Sequence, residues 1–401
     1  MSPKDIHISD YDYPLPNERI AKFPLPQRDH SKLLISHNGQ IQESQFFHLP
    51  EFLDPETLLV FNDTKVIHAR LFFQKPTGSV IEVFCLEPWH MPITQAFEAT
   101  ERCQWLCFIG NNKKWKSEPL AHTLTVNGQP CTLTAERQES VGNAWVVTFH
   151  WTGGYDFATL LEQVGVIPLP PYLHREAESS DNERYQTVYA LHQGSVAAPT
   201  AGLHFTESVF NELRGKGITT EFITLDVGAG TFKPVNTATI GEHQMHTEKI
   251  HITRSNIQRL IQQFGKPIIP VGTTTVRTLE SVYWFGVKLN LDPTLQQMEV
   301  EQWDPYELSD KKTTPLQSYQ AVLQWMERNG IELLEGDTRL LIAPGYTYQI
   351  ITGLITNFHQ PKSTLLLLVS ALVGNHWKAC YQYALDHDFR FLSYGDSCLF
   401  N

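Results

Sequence analysis

The stretch from about Arg70 to Trp151 constrains the fold of this chain most, because its hydrophobic period is two while the sequence on its C-terminal side runs differently. The runs VIEVFCLE, WLCFIG, TLTVNGQPCTLTAE and AWVVTFHW alternate apolar and polar residues as half-buried strands do, and Asn127-Gly128 is a hairpin signal between two of them. An all-β unit is therefore expected at 70–151. After Gly153-Gly154 the period changes: FATLLEQVG places apolar residues at 157, 160, 161 and 164, one face of a short helix. Helix and strand patterns then alternate. SVFNELRGKG reads as a helix and TEFITL as a strand; Ile257, Leu260, Ile261 and Phe264 share a helical face; KPIIPV is a buried strand; Val276, Leu279 and Tyr283 face the next helix. RLLIAPGY, QIITGLITNF and FRFLSYGDSCLF read as strand-like and HWKACYQYALDH as a helix. Such alternation predicts an α/β domain, barrel-like or with a largely parallel sheet and flanking helices.

Bulk properties narrow the class. A 401-residue chain, 41% hydrophobic and 18% charged, suits one large or two ordinary folded domains. The longest apolar run, Leu365 to Val373, is too short to cross a bilayer and contains Ser370. The start, MSPKDIHISDYDYPLP, lacks the basic and apolar regions of an export signal, so a cytoplasmic protein without membrane contact is expected. Six scattered cysteines predict reduced thiols; Cys103 and Cys107 lack the third cysteine of an iron–sulfur motif and the second pair of a zinc site, and no metal is expected. A formal charge of −12 argues against a nonspecific nucleic-acid coat, leaving only local basic clusters such as NNKKWK around Trp115, a candidate RNA contact or a solvated surface.

Polar blocks repeatedly follow apolar strands: NDT after LLVF, DVGAG after EFITL, GTTT after IIPV and NFHQPKS after ITGLIT. Loops at the carboxyl ends of α/β strands meet in space, so these blocks are expected to line one cleft. Gly272 and its three threonines, between a strand and a helix, make a seat for an anion or carboxylate; neither a Walker A loop nor a GxGxxG motif is present. The loop from Asp181 to Thr206 offers Gly194, Ser195, Ala197, Ala198, Pro199, Thr200, Ala201 and Gly202 and closes on His204. Few of its residues are expected in the core, and it reads as a site-building loop in preference to an ordinary surface connection.

That loop sequence, DNERYQTVYALHQGSVAAPTAGLHFT, resembles the signature of the S-adenosylmethionine:tRNA ribosyltransferase-isomerase family of queuosine biosynthesis. VFNDTKVIHARL, VGAGTFKPV with EHQMHTE, VGTTTVRTLES and ITNFHQPKSTLLLLVSALVG with FRFLSYGDS resemble the same family, in order along the chain. The resemblance implies a small β-barrel at 70–151 inserted into a discontinuous α/β catalytic domain made of 1–69 and 152–401. It implies transfer of the ribosyl part of S-adenosylmethionine onto 7-aminomethyl-7-deazaguanine at the tRNA wobble position, giving epoxyqueuosine and releasing adenine and methionine. Its partners are the precursor-bearing tRNA and S-adenosylmethionine, with no other cofactor, and a monomer is expected. Residues 289–336 are longer than expected for the family. A tRNA-binding paralogue that is non-catalytic or uses another substrate, and a methyltransferase, are the rival readings.

The chemistry requires a base for the carbon beside the sulfonium, an acid for adenine departure and a neutral attacking amine. His204 is the first candidate for proton transfer, with a structural histidine as the alternative. Asp226 and Asp396 are candidates for the ribose hydroxyls or the amine, Tyr394 for stacking or donation, and His243 with His246 for a proton relay. Arg277 is a candidate for the methionine carboxylate or a phosphate, unless it pairs with Glu280. Arg28, Asp29, Asn62 and Asp63 match family motif positions, although turn and capping roles suit them equally. Arg184, Ser195, Thr200, Gly228, Gly230, Thr273, Glu280, Asn357, His359 and Lys362 complete the expected substrate contacts.

Overall fold

The computed structural model describes residues 2–228 and 235–401. The period-two region forms six antiparallel strands in the spatial order Arg70–Gln74, Val80–Pro88, Arg102–Gly110, Ala144–Trp151, Gln129–Val141, Leu120–Val126. The outer strands approach each other and nearly close the sheet into a barrel. Alternate residues point inward, where Val83, Trp105, Cys107, Leu133 and Phe149 are buried, as the pattern requires. Asn127 and Gly128 turn the last hairpin with φ of 49° and 80°, the two left-handed residues of a type I′ turn. Helix Phe157–Val164 adds Phe157, whose ring packs on Trp105, Phe149 and Trp151. Cys103 and Cys107 belong to this apolar interior, and burial raises both thiols.

The rest of the chain is built on a sheet ordered Ile268–Pro270, Leu58–Asn62, Thr219–Asp226, Glu248–Thr253, Leu333–Thr338, Met298–Val300. The expectation of a largely parallel sheet is corrected here. The first three strands are parallel, but Glu248–Thr253 runs antiparallel to both neighbours, while Met298–Val300 is parallel to Leu333–Thr338. Among the described residues no α-helix lies between Asp226 and Glu248, so no helical crossover returns the chain to a parallel start. A second, four-stranded mixed sheet runs Leu354–Asn357, Ser397–Phe400, Lys32–His37, Gln40–Gln45. A bridge between Val271 and Ile355, with Gly272 N–H donating to Ile355 O at 2.8 Å, stitches the two sheets at the functional edge.

Helix Thr273–Leu291 packs on the six-stranded sheet and is buried along nearly its whole length. Helix Pro315–Arg328 crosses it at Gly286, where an added Cβ would lie 2.2 Å from Ser318 O. Residues 289–336 are thus part of the main core, through Tyr319, Val322, Trp325 and Met326.

Three local expectations are corrected. RLLIAPGY is irregular, its apolar residues Leu340, Leu341, Ile342 and Ala343 buried without a ladder, and the strand precedes it at Leu333–Thr338. Only Ser397–Phe400 of FRFLSYGDSCLF forms a strand; Phe391 makes a single parallel bridge to Ile20, and the chain then turns at Leu392, whose φ is 70°. The loop 181–206 is far from core-free: Tyr185, Val196, Ala197, Leu203 and Phe205 are buried, and His192–Ser195 pairs in parallel with Thr64–Val66. Small residues there serve tight packing as well as access.

Candidate active site

Strand ends and loops line a half-open cavity. Its walls are Ala198, Pro199, Thr200 and Ala201 from the small-residue loop, Gly272, Thr273 and Thr274 at the helix start, Thr356 to Gln360, Ser363, Leu392, Ser393, Tyr172 and Val227. Of the four polar blocks expected to share a cleft, GTTT, NFHQPKS and Val227 of DVGAG line this cavity, joined by the loop at 198–201 and by Leu392 and Ser393; NDT does not line it, and its Asp63 faces a neighbouring groove. Gly272 has φ of 91°, which a side chain adopts only with strain, and has no side-chain cap. The first N–H groups of a 19-residue helix therefore open toward the cavity.

Of the expected residues, Thr200, Thr273, Asn357 and His359 line this cavity. Asn357 is held from behind: its amide donates to Leu392 O at 2.9 Å and its Oδ1 lies 3.1 Å from His204 Nε2. The other ring nitrogen of His204 is 2.7 Å from Ser31 Oγ. His204 is thus 4% exposed with both nitrogens engaged, and burial lowers its pKa to about 4. This places it one layer behind the wall. His359 presents Nε2 to Thr356 Oγ1 at 2.9 Å, and desolvation lowers it to about 3, so its ring is neutral.

A second, open groove starts on the far side of residues 226 and 227, with Val227 in the cavity wall and Asp226 in the groove. The groove runs between segment 88–98 and the main sheet and also holds Asp63, His192, His251 and Glu335. Asp226 Oδ2 is 3.1 Å from His251 Nε2, and Glu335 is 3.3 Å from the other nitrogen. Burial pulls the His251 pKa down, but Asp226 and Glu335 outweigh it and leave it raised. Asp63 is raised by burial and accepts from Thr224 Oγ1 at 2.6 Å. Gly194 makes room for the Asp226 carboxylate, since a Cβ there would lie 2.3 Å from Asp226 Oδ1.

Other expected residues hold the scaffold. Asn62 bonds the backbone N–H and carbonyl of Leu225, joining neighbouring strand ends, and Ser195 bonds Thr64 and Val227 N–H. Asp29 accepts from Thr206 Oγ1. Tyr394 donates to Asp181, which also receives a two-pronged Arg175 contact. Asp396 accepts from Lys32 N–H and Arg390 N–H, and burial raises its pKa against these donors.

Arg277 does not pair with Glu280; it forms a buried ion pair with Glu248, which His246 also contacts at 3.0 Å. Glu280 instead accepts from Tyr346 Oη and from the N–H groups of Gln349 and Ile350. Lys362 pairs with Asp12 at 2.7 Å. His243 is half-buried with a pKa lowered by burial and does not line the cavity; an added Cβ at Gly228 would meet His246 at 3.8 Å. Gly230 lies outside the described residues. Trp115 is 1% exposed and bonds Glu118 O, so its ring is not available to stack on RNA. Among the described residues no group of three metal-binding side chains gathers, and no helix is long and apolar enough to cross a membrane.

Sequence reasoning missed Thr356 and Ser393, and included Ser363 only as part of the NFHQPKS block. Ser393 lay one residue from Tyr394 in a block already singled out, and its hydroxyl meets Tyr172 Oη at 2.6 Å. Hydroxyl residues carry no titration signature, so only the cavity reveals them.

Comparison with known proteins identifies the family. A family model described as queuosine biosynthesis protein matches residues 8–400. An S-adenosylmethionine:tRNA ribosyltransferase-isomerase of Halothermothrix orenii is 36% identical over 398 residues, covering 98% of this chain and 99% of the relative. One from Aromatoleum aromaticum is 38% identical over 395 residues, covering 97% and 96%. A crystal structure of S-adenosylmethionine tRNA ribosyltransferase from Thermotoga maritima aligns over 98% of this chain and 99% of its own, at 24% identity and a TM-score of 0.46. With the model matched almost end to end, the chain belongs to the queuosine biosynthesis protein family.

Proposed function

We propose that this protein is an S-adenosylmethionine:tRNA ribosyltransferase-isomerase, moving the ribosyl moiety of the cosubstrate onto 7-aminomethyl-7-deazaguanine in tRNA. The observation that carries the reading is one cavity walled by the loop at 198–201, the Gly272 turn, the Asn357–His359 segment and Ser393. In this reading the methionine carboxylate sits on the N–H groups at Thr273 and Thr274, where the helix dipole favours negative charge. Asn357, fixed by His204 and Leu392 O, orients the nucleoside, and neutral His359 offers a hydrogen bond without repelling the sulfonium.

The aminomethyl group must lose a proton before it attacks. Asp226, at the boundary between cavity and groove and backed by His251, is proposed to take it. Tyr394, Asp396, His204 and His246 then act by positioning others. The cosubstrate needs no further cofactor in this scheme, since methionine leaves from a sulfonium. A monomer in the cytoplasm carries out the reaction. The two-domain division, an inserted barrel at 70–151 within 1–69 and 152–401, is proposed with it, supported by a barrel interior distinct from the main core, into which Ile67, Ala69, Phe157, Leu160, Leu161 and Val196 of the flanking segments also pack.

The test is mass spectrometry of nucleosides from precursor-bearing tRNA treated with enzyme and S-adenosylmethionine. Epoxyqueuosine is the expected product, and Asp226→Asn is expected to lower turnover at least tenfold. An unchanged precursor, or a methylated one, overturns the reading; a normal rate in the variant removes Asp226 from proton transfer.

A further inference from the structure

Behind the central cavity lies a smaller, shallow and half-open one, lined by Pro24, Arg28, Ser31, Arg184, Arg390 and Ser393 among others. Ser393 belongs to both walls. Three guanidinium groups converge here in a chain whose formal charge is −12. Neither Arg28 nor Arg184 is within salt-bridge distance of a carboxylate among the described residues, and Arg390 has only Asp396, at 3.4 Å.

Their remaining contacts are neutral. Arg28 donates one nitrogen to Gln186 O at 3.0 Å, and Arg184 donates to Pro26 O and Leu25 O. Arg184 Nε is buried without any partner. Burial and the neighbouring Arg184 lower the pKa of Arg28, against the weaker opposite pull of Glu183, Tyr394 and Asp29. Gathering like charges over a half-enclosed space is unfavourable in the empty protein, and an anion entering it relieves the repulsion and takes up the unused donors.

We propose that the cavity formed by Arg28, Arg184 and Arg390 seats a backbone phosphate of the tRNA anticodon loop. The inference rests on the function proposed above and adds a contact for its polynucleotide substrate. The cosubstrate carboxylate already has a seat at the helix start by Gly272, across the shared wall. A phosphodiester is the remaining anion of the reaction, and guanidinium forks match its oxygens. Beside Pro24 of the rim, Phe23 is 50% exposed with the Arg175 guanidinium 4.3 Å from its ring, a stacking platform of the kind single strands use. The anticodon loop then straddles the central cavity, its phosphate on this side and the reacting amine at Asp226 on the other.

Binding of a precursor-bearing anticodon stem-loop is to be measured against salt concentration for the wild type and Arg28→Gln, alongside S-adenosylmethionine affinity. The expected result is a roughly tenfold loss of RNA affinity, a log–log salt slope lower by about 1, and cosubstrate affinity within about twofold. In the wild-type protein, stem-loops with one methylphosphonate linkage each are expected to show the same loss at a single linkage near the wobble nucleotide, and this second measurement does not depend on the variant folding. Unchanged RNA affinity with every neutral linkage, or a loss confined to S-adenosylmethionine, overturns the phosphate seat. Epoxyqueuosine formation by the wild type, measured in parallel, separates that outcome from failure of the functional reading.

Discussion

His204 shows how far a side chain's surroundings decide its role. A histidine beside a run of small residues invites a proton-transfer assignment, but Ser31 and Asn357 occupy both of its nitrogens and burial keeps the ring neutral. Its folded pKa of about 4 lies below the ordinary 6.5, so the unfolded chain takes up a proton first as pH falls. The stabilising contribution is therefore complete above pH 6.5 and is lost progressively between there and about pH 4. Between pH 7 and pH 5 the loss is about 2 kcal/mol. Subtracting the urea-unfolding free energies of His204→Asn from those of the wild type across this range should reveal that slope, with other titrating groups cancelling; parallel curves would show that His204 does not titrate as its burial requires. Residue types alone could mark Thr273, Asn357 and His359 for the cavity, because each sits in a polar block after a strand. They could not separate Asp226, which faces the groove, from Asp396, which is consumed by backbone N–H groups.

At the scale of elements, the segment 273–291 was legible as a helix from its start at Gly272 and its apolar spacing, but its near-complete burial was not. Glu280 and Ser281 are satisfied inside, Glu280 capping the N–H groups of the turn at 349–350 and Ser281 meeting Thr338, while one nitrogen of Arg277 stays buried without a partner. Glu280→Ala would leave those buried donors without a partner and is expected to cost about 2–4 kcal/mol. A melting temperature equal to that of the wild type would contradict this role. Gly286 makes a cleaner test of packing, because helix propensity favours alanine by about 1 kcal/mol while the new Cβ would collide with a backbone carbonyl 2.2 Å away. The collision should win, for a net loss of about 1–3 kcal/mol in Gly286→Ala. At Gly215, the last residue of helix Glu207–Gly215, nothing lies within 4 Å, and alanine should be neutral or slightly stabilising. Equal effects at both positions would mean that the helix crossing tolerates more separation than its geometry indicates. The antiparallel strand Glu248–Thr253 escaped sequence reading because orientation depends on how the chain returns, and hydrophobic period carries no direction.

Across the whole molecule, the stitch between Val271 and Ile355 brings two sheets to a common edge, and blocks separated by up to two hundred residues share one half-open cavity there. The composition shift at 70–151 and the polar blocks after strands were readable before any coordinates, since both follow from local pattern. The acidic groove on one side of Asp226 and the arginine cavity on the other were not, because each depends on segments that meet only after folding. Together they give the molecule a half-open cavity for a small charged nucleoside flanked by open surfaces for a larger partner. The most direct measurement is chromatography of the small molecules released when enzyme, S-adenosylmethionine and precursor-bearing tRNA are combined. Adenine and methionine are expected in equal amounts, neither appearing without the tRNA; S-adenosylhomocysteine in their place would contradict a ribosyl transfer in this cavity.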